Sequence, residues 1–443
     1  MRSNSNSAEA RRDILAPCAQ PDPRPASAAT HAFCRRRDSA LRTCYTRGVP
    51  RSKQPRPLEG LLVADFSRVL AGPLCTQMLG DAGARVIKVE ERERGDETRR
   101  WGPPFVAGVS AYFLSINRNK ESIALDLKGG GDVARRLVEW ADVVVDNFLP
   151  QQRKAFGLDH VLAINPRAVH CRIAGFDSDT PEAATAGYDL LAQAGAGLMS
   201  ITGDPGGDPM KAGVALSDVL TAHYAYGAIT TALIALQRSG RGSVVEVSLF
   251  SSTIASLVNV AQSALVTDRE ARRFGNAHPS IVPYQMVHAS DREFAIGVGT
   301  DRHFRLLCEE VINHHELARQ RRFATNAARV RNRAKLIPLL ESIFAGERAR
   351  GWVDRCRAVG IPASLVRGVL EALDTPEASP LIASLDHPVA GKYDALRTPI
   401  RFDGARLPIG TPPPQLGEHT NRILRELGYS TREIARMRTE AVI

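Results

Sequence analysis

Residues 61–90 read LLVADFSRVLAGPLCTQMLGDAGARVIKVE. Leu61–Asp65 and Arg85–Glu90 are short Val/Ile/Leu-rich runs, and Gly72–Ala82 between them has helical character. Strand, helix and strand in that order predict a parallel βαβ unit. The pattern continues downstream. Ser122–Asp126, Asp142–Asp146 and Ala168–Ala174 read as further strands, and Asp132–Ala141 reads as a helix. The expected fold class is α/β, with an open, doubly wound parallel sheet. Ligands of such sheets bind beyond the carboxyl ends of the strands. Here those ends are Asp65–Arg68, Glu90-Glu91, Asp126–Lys128 and Asn147-Phe148. The first turn, DFSRVLAG, lacks the GxGxxG of dinucleotide sites, which argues against a nicotinamide dehydrogenase.

A second unit follows: a glycine-rich loop from Gly187, a long apolar helix over Ala215–Leu236, and a strand over Ser243–Leu249. Val247–Thr267 is uncharged until Asp268 but carries many Ser, Asn and Gln residues, so it reads as a buried helix rather than a membrane span. Beyond about Phe274 the pattern is mixed, with Arg-rich helices around Glu309–Arg355, and a final helix is expected over Thr420–Leu427. The domain reading is therefore a basic leader over 1–56, a large domain over 57–255 completed by about 390–443, and a smaller α+β domain over 270–385.

The chain has 443 residues and a formal charge of +10, but residues 1–57 hold 12 Lys/Arg against 4 Asp/Glu. The rest holds 46 against 44, so no nucleic-acid face is indicated. The leader is rich in Arg, Ser, Pro and Ala without hydrophobic period, and it is expected to be disordered. It is either upstream sequence of a cytoplasmic protein or a transit peptide for the mitochondrial matrix. Seven scattered cysteines, with no CxxC, suit a reducing compartment. No metal-ligand spacing is present, and no metal or resident cofactor is expected.

The most informative stretch is 187–218, GYDLLAQAGAGLMSITGDPGGDPMKAGVALSD. It sets Asp189, Asp204, Asp208 and Asp218 around a loop, Thr202–Gly213, that holds four glycines and two prolines. Glycines allow close backbone approach and leave amide N–H groups free for an oxyanion. A carboxylate beside them has the makings of a nucleophile. An aspartate, with a reference pKa of about 3.9, needs no general base at neutral pH. Composition alone equally allows an ordinary turn.

The ordered motifs RVLAGP (68–73), LGDAGARVIKVE (79–90), GDETRRWGPPF (95–105), YFLSINRNKESIALDLK (112–128), NFLP (147–150) and GYDLLAQAGAGLMSITG (187–203) resemble the family III CoA-transferases (CaiB/BaiF), the formyl-CoA and carnitine CoA-transferase group. The likeness runs from about Pro57 to the C-terminal helix. RFGNAHPSIVPYQ (273–285) and PPPQLGEHT (412–420) look closest to the succinate–hydroxymethylglutarate branch, which acts on short dicarboxylic acids. The resemblance implies a Rossmann-like large domain, a small domain and an interlocked homodimer. It also implies ping-pong transfer of CoA, a substrate rather than a cofactor, from an acyl-CoA such as succinyl-CoA to a carboxylic acid. An aspartyl anhydride and an aspartyl-CoA thioester are the covalent intermediates.

By the same resemblance, the acid usually stands third after the TG, where this chain has Gly206. The nucleophile is then Asp208, or else Asp204. CoA contacts carry over to Leu70, Ala71, Leu125, Asp126, Leu127, Lys128, Asn147, Phe148, Leu149, Ala174, Gly175, Phe176 and Asp177. A family arginine falls on Ala155, with Arg153 or Lys154 as replacements, and another falls on Glu91. Arg68 and Lys88 are further candidates for the CoA phosphates. A distal carboxylate calls for a cation, for which Arg99, Arg100 and Arg118 are available. Gly206, Gly207 and His278 complete the expected substrate pocket. Two rivals are an α-methylacyl-CoA racemase, disfavoured by Tyr188-Asp189 where a His–Asp pair belongs, and a non-catalytic CoA-binding homologue.

Overall fold

The structure, a computed structural model, describes residues 56–443. The expected basic leader, apart from Arg56, lies outside the described residues. Six strands build one parallel sheet: β1 (Leu62–Asp65), β2 (Arg85–Glu90), β3 (Lys120–Ala124), β4 (Val143–Asp146), β5 (Val169–Ala174) and β6 (Ser243–Ser248). Their order across the sheet is β3-β2-β1-β4-β5-β6. This is the Rossmann order, in which the direction of strand addition reverses between the first and fourth strands.

Side chains alternate across each strand, so both faces of the sheet are apolar. Leu62, Ala64 and Val144 face one core, with Val133, Leu137 and Val138 of the Gly131–Trp140 helix. Ile423, Leu424, Tyr429, Ile434 and Met437 from the C-terminal helices belong to that core too. Val63, Val143 and Val145 face the other core, against the Ala71–Asp81 and Leu216–Ser239 helices. A second body has its own core. The antiparallel strands β7 (Tyr284–His288), β8 (Glu293–Gly297) and β9 (Ala363–Leu365), in the order β9-β8-β7, are covered by helices between Asp301 and Ala358. Phe294, Phe344 and Trp352 meet edge to face there at 5.2 Å.

Three expectations change. β3 starts at Lys120, before Ser122, because Lys120 and Glu121 pair with Val86 and Ile87 of β2, and Lys120 is buried there in an ion pair that its local sequence does not show. Val247–Thr267 is not one buried helix: after β6 it forms two helices, Leu249–Ala255 and Val258–Thr267, bent by 76°. The second of these has no buried residue, because nothing else in the described chain covers it. Thr420–Glu426 is followed by one more helix, Thr431–Thr439, started by a capping box of Ser430 and Glu433. Cys75, Cys171, Cys308 and Cys356 are free and buried.

Candidate active site

The direction in which strands are added to the sheet reverses between β1 and β4, and a cleft of about 270 Å³ opens there beyond the strand ends. Arg68, Val69 and Ala71 line it from the β1 turn, Asn147–Pro150, Gln152 and Arg153 from the end of β4, and Ala174–Phe176 from the end of β5. Gly187, Tyr188 and Asp218 close it from the glycine-rich segment. Two backbones meet here. A Cβ on Gly175 would lie 2.6 Å from Gly187 Cα, so only glycine lets the end of β5 and the loop at 187 pack this closely.

The β1 turn is held from below by buried charge. Lys88 Nζ lies 2.8 Å from Asp96 and donates to Ser67 C=O at 2.9 Å. Lys120 Nζ lies 3.1 Å from Asp65 and donates to Pro73 C=O. Asp65 also accepts from Ser67 N–H and Thr76 Oγ1. Burial works against each of these charges. It pushes Lys120 down to about 8, whereas for Lys88 the carboxylates of Asp96, Asp65 and Glu90 outweigh burial and raise it. Val69 N–H points at the Asp96 carboxylate at 3.3 Å, and Val69 has φ +71. That value is unusual for a β-branched residue and is imposed by this framework. Above it, Arg68 Nε and Glu97 Oε2 are shielded from solvent yet have no hydrogen-bond partner among the described residues, although Arg68 and Glu97 pair at 2.9 Å.

Two acids stand together here, Asp218 in the cleft lining and Asp189 beside it. Asp189 accepts from Ser217 N–H at 2.9 Å and from Gln193 Nε2 at 2.8 Å. Asp218 is less well supplied: burial and the charge of Asp189 push its carboxyl up to about 7, against the pull of Ala71 N–H. Tyr112, facing both acids, is raised to about 12 by burial and by their charge.

The loop at Thr202–Gly213 is exposed, and neither Asp204 nor Asp208 is among the residues lining the cleft. Its shape is set by Gly203, with φ +112, where a Cβ would come 3.0 Å from Asp208 C=O. It is also set by Arg273, which donates to the carbonyls of Ser200, Asp204 and Gly207.

Of the residues expected at CoA, Arg68, Ala71, Asn147, Phe148, Leu149, Arg153, Ala174, Gly175 and Phe176 are brought together at the cleft. Leu70, Leu125, Asp126, Leu127, Lys128, Lys154 and Asp177 are not part of its lining. Leu125 is buried in the core, and Asp126 N–H bonds Val442 C=O near the C-terminus. Arg153 is tied to Asp146 and to Phe148 C=O, and Lys88 is enclosed in its ion pair. Of the arginines expected to hold a distal carboxylate, Arg100 is exposed and outside the cleft lining, and the other two have internal partners. Arg99 grips Glu90 with two nitrogens and stacks on Phe113, and Arg118 grips Asp81. His278 packs on Tyr284, accepts from Ser280 N–H and lies outside the cleft lining.

Sequence reading passed over Val69, Asp96 and Arg273. Asp96 had a legible signal, because an aspartate two residues before Thr98 caps the short turn Glu97–Arg100. Arg273 had none, since its partners lie some 70 residues upstream.

The profile of CoA-transferase family III matches residues 58–420. Succinyl-CoA:glutarate CoA-transferase of Homo sapiens is 38% identical over 395 residues, 88% of this chain and 90% of that protein. Succinate–glutarate CoA-transferase of Agrobacterium fabrum is 39% identical over 383 residues, 84% of this chain and 96% of that protein. A crystal structure of a CAIB/BAIF family protein from Brucella suis superposes with a TM-score of 0.75 at 40% identity, covering 84% of this chain and all of that one. Profile, relatives and a sheet with its cleft at the switch point agree, and the chain belongs to CoA-transferase family III.

Proposed function

We propose that the protein moves CoA from succinyl-CoA to a short dicarboxylic acid of the glutarate type, using Asp208 as nucleophile. The observation that carries this reading is the likeness, over nearly nine-tenths of the chain, to two succinyl-CoA (or succinate)/glutarate CoA-transferases. In the proposed cycle the Asp208 carboxylate attacks the thioester carbonyl, and CoA thiolate leaves as a mixed anhydride forms. The thiolate attacks the aspartyl carbonyl, releasing succinate and leaving an aspartyl-CoA thioester. The acceptor carboxylate then displaces CoA to form a second anhydride. Attack of the thiolate on the acceptor's acyl carbon regenerates Asp208 and releases the new acyl-CoA.

CoA lies across the switch-point cleft, held largely by backbone of the three strand-end turns. A homodimer belongs to the same reading. It is supported by apolar side chains that the described chain leaves uncovered, among them Val258 at 68% and Leu265 at 80% exposure.

The test is incubation of the full chain with succinyl-CoA and a series of dicarboxylates, with acyl-CoA products followed by mass spectrometry. Glutaryl-CoA formation is expected. Transfer to monocarboxylates alone, or to no acid, would overturn the substrate assignment.

A further inference from the structure

Each main-chain polar group from Ser67 C=O to Val69 N–H is held by a side chain. Lys88 Nζ donates to Ser67 C=O at 2.9 Å, Asn147 grips Arg68 N–H and C=O, and the Asp96 carboxylate accepts from Val69 N–H at 3.3 Å. Lys88 and Asp96 also pair with each other at 2.8 Å, and both are enclosed. Thr98 N–H and Oγ1 donate to the same carboxylate at 2.9 and 2.7 Å, and Asp96 N–H is held by Glu90 at 3.1 Å. Burial opposes the charge on Asp96, but Lys88 and Thr98 outweigh it and hold the carboxyl below its ordinary value.

The framework enforces an unfavourable conformation. Val69 has φ +71, a left-handed region that the Cβ of an L-residue disfavours by about 5- to 30-fold. Glycine would adopt it freely, yet this position in the cleft wall is a valine. Strain of this kind persists only where the surroundings over-determine it, and it collects at ligand-holding sites. The turn has no slack, since a Cβ on Gly72 would collide with the Ser67 side chain. It also sets the entry of the chain into the Ala71–Asp81 helix, where Ala71 N–H points at the Asp218 carboxyl. Val69, Ala71 and Asp218 all line the cleft, so the path of this one turn shapes it.

We infer that Asp96, braced by Lys88, is a positioning residue for CoA: by holding Val69 in the left-handed conformation it keeps the β1 turn in the shape that receives the acyl-CoA. This rests on the reading that CoA lies across the switch-point cleft. Asp96 and Lys88 act through the backbone, and neither is part of the cleft lining.

The experiment uses the full-length protein, Asp96→Asn, and the double variant Lys88→Met with Asp96→Ala, each with and without Val69→Gly. Removing both partners of the pair strands no charge. The double variant should weaken CoA binding in calorimetry, and raise KM for succinyl-CoA, by about 5- to 30-fold, the weight of a left-handed valine. Its kcat at saturating succinyl-CoA changes far less. Asp96→Asn, which keeps an acceptor for Val69 N–H, loses less affinity. In the Val69→Gly background the left-handed turn needs no enforcement, and the same substitutions cost little. Hydrogen exchange of the 65–73 peptide in the parent, with and without CoA, tests the site itself. If CoA protects that peptide but affinity falls equally with and without Val69→Gly, or does not fall, the role of Asp96 is overturned and CoA stays in the cleft. If CoA gives no protection, both readings fall. Should the double variant not fold, Asp96→Asn with and without Val69→Gly reads the same coupling.

Discussion

Asn147 holds the backbone of Arg68 by both edges of its carboxamide, accepting from Arg68 N–H at 3.0 Å and donating to Arg68 C=O at 2.8 Å. The two bonds join the end of β4 to the end of β1 across the switch point. They fix the residue before Val69, the position with φ +71 in the cleft wall. Asn147→Ala is expected to cost about 1–3 kcal/mol from two hydrogen bonds, and to weaken CoA binding because the β1 turn loses its tether. Asn147→Asp keeps the acceptor and should lose less stability. Urea unfolding and calorimetric titration with CoA check both; wild-type CoA affinity in Asn147→Ala would separate the tether from the binding site.

Asp65 and Lys120 form a fully enclosed pair beneath the same turn. Removing one partner strands the other, so Asp65→Asn or Lys120→Met should each destabilise by about 3–5 kcal/mol. The double substitution should cost less than the sum of the two. Lys88 sharpens the asymmetry, since losing Asp65 leaves two buried ammonium groups with less negative charge between them. A double-mutant cycle in urea reads the coupling, and strict additivity would deny it.

Asp218 sets a pH dependence whose sign follows from its environment. Burial and Asp189 raise its carboxyl from 3.8 to about 7. Between those values the folded protein holds a proton that the unfolded chain has lost, so stability falls as pH rises through this window. Asp218→Asn removes the effect. The variant should melt higher than the parent above pH 7 and gain nothing near pH 4. Because Asp218 faces the cleft, the parent's affinity for polyanionic CoA should also fall as pH passes about 7, while that of Asp218→Asn should not. Melting curves and CoA titrations at matched ionic strength decide.

Asp208→Ala should abolish CoA transfer and the covalent adduct while leaving CoA binding intact. Asp204→Ala should retain transfer. The two substitutions are well matched controls, since both side chains are exposed on one loop and neither supports the core. Transfer by Asp208→Ala and its loss in Asp204→Ala would reverse the assignment.

The alternation of strands and helices over residues 61–174 was legible because local composition carries it: β2 has the bounds that its Val/Ile run suggests. β3 extends back to Lys120 because that residue pairs with Val86 of β2, a partner its local sequence does not reveal. The roles of the arginines were illegible for the same reason. Arg99, Arg118 and Arg273 look alike in sequence, yet one holds Glu90, one Asp81 and one the carbonyls of Ser200, Asp204 and Gly207. The acidic loop itself is visible as glycine, proline and aspartate, but nothing in that composition tells that Arg273 holds its carbonyls. A local pattern specifies local geometry, whereas the partner of a charge is a property of the folded whole.

The C-terminal helices supply Ile423, Leu424, Tyr429, Ile434 and Met437 to the core that begins with Leu62. On a ribosome, the first strand therefore emerges long before the residues that cover its face have been translated. Until then part of one side of the sheet, beyond what the Gly131–Trp140 helix covers, is an apolar surface open to chaperones and to other nascent chains. A message truncated shortly before residue 420 would encode every strand of the sheet and every residue of the proposed site, yet it should yield a chain prone to aggregation.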